Sequence, residues 1–222
     1  MDNTMATIPA SYLKAATYCM AKKDIRFYLN GILLDFPGNR IVSTDGHRLF
    51  VGRLPEDCPT DWPAIIAPDS LILASLKAMS VKARAAESVF ITLTETDDDA
   101  TSFKRKINNV RIISTAGEFA AREVDATFPE YQRVIPPSAS GEPSGFNFAY
   151  LSDAADAISW YARGRDSRYG GCGIAYNGSG PAVLSDPMSE DCLVVVMPMR
   201  VDVNGEFPNV LAPRPPSKSK AA

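Results

Sequence analysis

The chain has 222 residues, of which 45% are hydrophobic, so it can bury a core as one large domain or two small ones. Its 23 basic and 26 acidic residues give a net charge of −3. This argues against a general nucleic-acid binder, because such domains usually have a pI above about 9. Basic residues gathered on one face would still allow an acidic protein to bind DNA.

The N-terminal segment lacks the pattern of a signal peptide, and no apolar run approaches the roughly 18 residues that span a membrane. The four cysteines, Cys19, Cys58, Cys172 and Cys192, form no C-x-x-C pair and have no histidine nearby. Scattered thiols of this kind fit a reducing compartment. The sequence therefore predicts a soluble cytoplasmic protein without a metal site or a cofactor.

The hydrophobic pattern repeats one unit three times: a short strand, a helix and then several strands. In the first unit we expect a helix over residues 12–20 with Ser11 as its N-cap. The residues expected on its inner face are Leu13, Ala16, Thr17 and Met20. The strands predicted around it cover residues 6–9, 25–34, 40–43 and 48–53, with turns at Asn30-Gly31, Pro37-Gly38 and Asp45-Gly46.

The second unit is predicted to contain a helix over residues 71–79, capped by Asp69 or Ser70. Its strands are expected at residues 64–67, 88–94, 102–107, 110–114 and 120–124. The third unit opens with a strand at 145–149 and continues as a helix over 151–161. The inner face of that helix is predicted to be Ala154, Ala157, Ile158 and Tyr161, and strands follow at 173–176, 182–185 and 193–199.

A helix on one face of an antiparallel sheet, repeated along the chain, predicts an α+β protein. Residues 136–145, rich in Pro, Ser and Gly, are typical of an interdomain linker. Residues 213–220 have little apolar surface to bury, which predicts a disordered tail.

Four segments together resemble the bacterial DNA sliding clamp, the β subunit of the replicative polymerase. They are residues 24–31, 43–49, 128–136 and 194–200. The resemblance implies a sliding-clamp fold built from three of the family's repeats, with nothing matching the family's first third. It implies that residues 1–136 match the middle domain, that 137–203 match the second half of the last domain, and that 204–222 form a disordered tail.

In that family an apolar pocket binds short peptide motifs of polymerases and the clamp loader. Carried onto this chain, the implied pocket residues are Leu29, Thr44, Gly46, His47, Arg48, Leu49, Pro129, Val134, Val195 and Met197. Their apolar members suit leucine and phenylalanine anchors, and their polar members would orient the peptide. The alternative interpretation is that these residues simply close a core between two domains.

The resemblance also implies backbone contacts to DNA from helices that face a central hole. The candidate residues are Lys14, Lys22, Lys23, Arg26, Phe27, Tyr28, Lys77, Lys82, Arg84, Arg163, Arg165 and Arg168. Such contacts need no base recognition, and an aromatic ring at Phe27 or Tyr28 could stack on a base. The alternative is that the cations occupy solvated helix ends, where the helix dipole favours them.

Nothing in the sequence indicates an enzyme. Ser43, Asp45 and His47 lie close together in sequence, but they lack the nucleophile elbow and triad order of a hydrolase. No nucleotide-binding loop of the G-x-x-x-x-G-K-[ST] type occurs.

Two functions remain open at this point. The first is a processivity or recruitment factor for DNA replication, which binds clamp-binding peptides and DNA without sequence specificity. The second is a clamp homologue that forms no ring and regulates the host clamp's interactions. We also expect a homo-oligomer that associates through residues 145–200, because an odd third repeat would leave a sheet edge and an apolar helix face exposed.

Overall fold

The computed structural model describes residues 4–55, 63–68, 70–78, 88–96, 106–114, 117–163 and 171–200. The helices within these ranges are α1 (Ala10–Thr17), α2 (Ser70–Ala78) and α3 (Phe148–Arg163). The strands are β1 (Thr4–Pro9), β2 (Ile32–Asp35), β3 (Arg40–Thr44), β4 (Arg48–Arg53), β5 (Ala64–Ala67), β6 (Ser88–Thr96), β7 (Lys106–Ser114), β8 (Gly117–Glu123), β9 (Gly173–Ala175), β10 (Ala182–Ser185) and β11 (Cys192–Val196). Helices on an antiparallel sheet confirm the predicted α+β class.

The described strands form one continuous sheet in the order β1-β6-β7-β8-β5-β2-β3-β4-β11-β10-β9. Strands β2 and β5 join the first repeat to the second, and β4 and β11 join the first to the third. In the β4–β11 pair, Leu49 lies opposite Val195 and Phe50 opposite Val194. The third repeat is therefore attached to the first through main-chain hydrogen bonds.

The alternating strand residues supply two separate cores, one on each face of the sheet. In β4, Phe50 belongs to the helix-side core, whereas Leu49 and Val51 belong to the core on the opposite face. Segment 124–135 crosses that opposite face and buries Tyr131 against it. Because successive side chains of a strand point to opposite faces, a strand with both faces covered is apolar throughout its centre.

The helix-side core joins α1 and α3 through aromatic contacts. The rings of Tyr12 and Tyr161 stack with their centroids 4.1 Å apart, and the Tyr161 hydroxyl donates to the carbonyl of Arg53 at 2.8 Å. All four residues predicted for the inner face of α3 are buried. The expectation that the third repeat leaves its apolar helix face exposed is therefore wrong, because α3 packs on α1 and β11.

The segment predicted as a strand over residues 25–34 is only partly a strand. Phe27–Asn30 is a 3-10 helix, and the strand begins at Ile32. The side chains at the two ends of this segment explain the difference. The side-chain amide of Asn30 donates to the main-chain carbonyl of Asp24, and the main-chain amide of Asp24 donates to Asn30 Oδ1, both at 2.9 Å. Such local side-chain bonds compete with strand pairing.

Two helix starts also differ from prediction. Helix α1 begins at Ala10 after Pro9, so Ser11 lies within the first turn and is buried. Among the described residues its hydroxyl has no hydrogen-bond partner. Helix α3 begins at Phe148, so the strand predicted at 145–149 is reduced to one bridge between Gly145 and Met199.

Several predictions fall partly or wholly outside the described residues. The strands predicted at 102–107 and 110–114 correspond to the single strand β7, and 102–105 lie outside the described part. Asp69, Cys58 and the tail at 204–222 also lie outside it.

Candidate functional site

An open cavity of about 190 Å³ lies where the β3–β4 turn, the segment around Val134 and the end of β11 meet. All ten residues that the resemblance assigned to a pocket line this cavity, namely Leu29, Thr44, Gly46, His47, Arg48, Leu49, Pro129, Val134, Val195 and Met197. Four residues that sequence reasoning did not place there, Arg26, Tyr28, Glu130 and Tyr131, line it as well.

The cavity has a buried floor and an exposed rim. Leu29, Leu49 and Val195 are each at most 3% exposed. On the rim, Val134 is 46% and Met197 is 42% exposed. The site is therefore an apolar depression that solvent can reach.

Strand pairing brings these distant residues together. The β4–β11 register sets Leu49 beside Val195, and the Met197 amide donates to the carbonyl of His47 at 2.9 Å just beyond the paired strands. A 3-10 helix, Tyr131–Val134, follows Pro129 and carries Val134 to the other side of the cavity. The geometry thus depends on contact between the first and third repeats.

The turn between β3 and β4 is fixed by its own side chains. The Thr44 hydroxyl donates to the carbonyl of Arg48 at 2.7 Å and accepts from the Gly46 amide at 3.1 Å. Asp45 Oδ1 accepts from the amides of His47 and Arg48 at 2.9 and 3.0 Å. Gly46 has a φ of +90°, in the region that favours glycine, and a Cβ there would lie 3.2 Å from a nitrogen of the Arg26 guanidinium.

These bonds also bear on Ser43, Asp45 and His47. The Ser43 hydroxyl is fully buried and donates to the carbonyl of Ala16 at 2.6 Å. The Asp45 carboxylate accepts from main-chain amides and from the Arg48 side chain. The Ser43 side chain therefore serves the core and the Asp45 side chain serves the turn, in an arrangement unlike a catalytic triad.

Arg48 connects the cavity wall to α3. Its Nε donates to Asp45 Oδ2 at 3.0 Å, and its Nη1 donates to the carboxylate of Asp153. The guanidinium also lies over the ring of Tyr150, 4.6 Å from its centroid, and the His47 ring stacks on the same tyrosine at 5.8 Å. Burial lowers the pKa of Arg48, but the bonds to Asp153 and Asp45 outweigh burial and leave it raised.

Sequence reasoning missed the roles of Tyr150 and Asp153. Both lie in the first turns of α3, three positions apart, so a helix places them on the same face. An aromatic and an acidic residue on one helix face were the available signal. It indicates a basic partner, but it does not say which arginine that partner is.

Arg26 lines the cavity on the side of the 3-10 helix at Phe27–Asn30. Its Nε and Nη2 donate to the Asp24 carboxylate at 3.0 and 2.8 Å, and Nη2 also donates to the carbonyl of Asp45 at 3.3 Å. Hydrogen bonds from Arg26 lower the pKa of Asp24 to about 2. Phe27 is 59% exposed, and its ring meets that of Tyr28 edge-on at 5.9 Å.

The residues predicted to contact DNA have different positions. Lys22, Lys23, Arg26 and Phe27 are exposed, whereas Tyr28 is half-buried and lines the cavity. Lys14, which was also predicted to contact DNA, is buried. It is 7% exposed and its Nζ lies 3.6 Å from the centroid of the Trp160 ring, because α1 is enclosed by its neighbours. The side chains of Lys77 and Arg163 are not described, and Lys82, Arg84, Arg165 and Arg168 lie outside the described residues.

The described part of the chain contains no group of three His, Cys, Asp or Glu side chains that could hold a metal ion. The same part has no helix that is long and apolar enough to cross a membrane.

This architecture is that of a sliding clamp. A crystal structure of the DNA polymerase sliding clamp from Pseudomonas aeruginosa superposes with a TM-score of 0.63, covering 90% of this chain and 68% of that one at 21% identity. The family model for the central domain of the DNA polymerase III beta subunit matches residues 8–130. The chain therefore belongs to the DNA polymerase III beta subunit family, which confirms the resemblance.

Curated relatives agree with this assignment. The beta sliding clamp of Haemophilus influenzae is 29% identical over 144 residues, which cover 64% of this chain and 35% of the relative. That of Pseudomonas aeruginosa is 34% identical over 125 residues, covering 54% of this chain and 29% of the relative. The chain thus spans about a third of the length of these relatives.

Proposed function

We propose that this protein acts in DNA replication as a clamp-like processivity or recruitment factor, without enzymatic activity, and binds short peptide motifs of polymerases or a clamp loader. One observation carries the proposal: the ten residues assigned to a peptide pocket line a single open apolar cavity. Family membership supports the replication role, although this chain matches only about a third of the length of its relatives.

The chemistry of the cavity favours apolar anchors over a charged ligand. Its floor is made of Leu29, Leu49 and Val195, and each leucine or phenylalanine that a peptide buries there would contribute about 1.5–3 kcal/mol. Arg48 is already paired with Asp45 and Asp153. An acidic peptide residue would therefore gain little from Arg48, and most of the affinity should come from one or two anchors.

A direct test is the binding of a fluorescein-labelled peptide with a Leu-Phe pair, followed by anisotropy. Replacing both rim residues, Val134→Ala with Met197→Ala, should weaken peptide binding at least tenfold, because apolar contacts with the anchors are lost. The two side chains are partly exposed, so their loss should leave the fold intact. Met188→Ala is the matched control, because Met188 is 70% exposed and does not line the cavity. Equal affinity for all three proteins would contradict the assignment, as would equal binding of an Ala-Ala peptide.

We also propose that Lys22, Lys23, Arg26 and Phe27 contact DNA without sequence specificity. These exposed residues support the proposal because phosphate contacts need only accessible cations, and an exposed ring can stack on an unpaired base. Lys22→Glu combined with Lys23→Glu should weaken DNA affinity. The slope of log K against log salt concentration should fall by the amount expected for the loss of about two phosphate contacts. An unchanged slope would place the contacts elsewhere.

Assembly and domain limits belong to the same proposal. We propose that residues 1–136 form a domain like the family's middle domain, that residues 137–203 form part of a domain like its last domain, and that residues 204–222 form a tail. We also propose that the protein is a homo-oligomer. In the described sheet, β1 and β9 each have one unpaired edge, where a second copy could add a strand. Light scattering at micromolar concentration should give a mass above one chain. Retention on nicked circular DNA that is lost after linearisation would indicate a closed ring.

A further inference from the structure

The open cavity lies next to the point where residues 201–222 leave the described part of the chain. Met197 lines the cavity, and Arg200, three positions later, is exposed. We call residues 201–222 the trailing segment. Beyond the two valines close to Arg200, its large apolar residues are Phe207, Val210 and Leu211. A phenylalanine and a leucine thus follow the apolar cavity in sequence within about a dozen residues.

We propose that Phe207 and Leu211 occupy this cavity in their own chain, so that the trailing segment competes with peptide ligands. The inference rests on the proposed peptide-binding function of the cavity. Three observations favour this occupant. The floor and rim are apolar, the guanidinium of Arg48 is already paired, and the cations Arg214, Lys218 and Lys220 all lie beyond the two anchors, so none has to enter the site.

The distances permit this arrangement. The seven residues from Arg200 to Phe207 span up to about 24 Å when extended, and the cavity wall begins at Met197. A ligand attached through so short a connection acts at an effective concentration on the order of 1 mM. If the segment alone binds with a Kd of about 100 µM, about nine in ten cavities would be filled and a competing peptide would bind about tenfold more weakly.

The test uses the full chain and the labelled Leu-Phe peptide already described. Phe207→Ala with Leu211→Ala removes both anchors, and this protein should bind the probe about tenfold more tightly than the unaltered chain. Lys218→Ala with Lys220→Ala is the control, since it alters the same segment and keeps the anchors, and it should bind like the unaltered chain. As a second readout, the methyl NMR signal of Met197 should shift when the anchors are removed, at every protein concentration.

The outcomes separate this inference from the proposed function. If the unaltered and anchor-free chains bind the probe equally and the Met197 signal does not move, the trailing segment does not fill the cavity. The peptide-binding function then stands as long as the Val134→Ala, Met197→Ala protein binds less. If the anchor-free chain fails to bind the probe at all, both ideas fail. A difference that grows with protein concentration would assign the cavity to a second copy's segment and overturn occupancy within one chain.

Discussion

The ion pair between Arg48 and Asp153 should couple the cavity wall to α3, and a double-mutant cycle can measure that coupling. The Arg48 side chain is 10% exposed and that of Asp153 is 38% exposed. Two unit charges about 4 Å apart near a protein surface attract by about 4 kcal/mol. Most of this attraction is offset by desolvation of the guanidinium, by the ordering of both side chains and by solvent screening at Asp153. We expect a coupling free energy of about 1 kcal/mol.

The assay is urea unfolding of the unaltered protein, Arg48→Ala, Asp153→Ala and the double variant. Arg48→Ala also removes the contact with Tyr150 and the bond to Asp45, so its single effect should exceed the coupling energy. The cycle subtracts those losses, because they occur with or without Asp153.

The chain offers a matched control pair in Arg133 and Glu130. These two residues, three positions apart in sequence, also form an ion pair, but their side chains are 79% and 67% exposed. Their coupling should be below about 0.5 kcal/mol. If the Arg48–Asp153 coupling is no larger than that of the control pair, the inference that α3 braces the cavity through this contact is refuted.

Two further predictions concern the core and the loop beside the cavity. Gly52→Ala should destabilise the fold by about 1–3 kcal/mol, because the added Cβ would lie 2.7 Å from the Tyr161 ring. Gly173→Ala is the control in the same urea assay, since the atom nearest to its Cβ would be 3.9 Å away. For Asp24, a pKa lowered to about 2 means that the pair with Arg26 stabilises the fold above the ordinary carboxyl pKa and loses this contribution as the pH falls through about 2. A carboxyl NMR titration should give that midpoint, and Arg26→Gln should return it towards the ordinary value near 4.

The alternation of apolar residues was enough to predict most of the sheet. Residues 40–53 read as two short strands with a turn at Asp45-Gly46, and the structure places β3 and β4 there. The same pattern could not show that Leu49 and Phe50 serve different cores, because both faces of β4 are covered. A strand that is apolar on both faces carries no signal for which face meets which neighbour.

The cavity could be anticipated only in part. Leu49 and Val195 are far apart in sequence, and only the resemblance to the clamp family predicted that they share a site. The β4–β11 register places them opposite each other. Tyr131 lines the cavity from residues 128–136, which were singled out only through the family resemblance. Its hydroxyl donates to Asp35 at 2.6 Å. Such pairings between distant segments depend on how the sheet is assembled, and no local periodicity encodes them.

The position of α1 decides where DNA contacts can be sought in the described part of the chain. A helix that lines a DNA channel needs an exposed face, but residues 10–16 of α1 are all buried among α2, α3 and the sheet. Lys14 consequently lies against Trp160. The exposed cations Lys22 and Lys23 instead belong to the loop that leads into Arg26 and the cavity. DNA and peptide ligands would then approach adjacent surfaces, so each should alter the other's affinity through charge or steric contact.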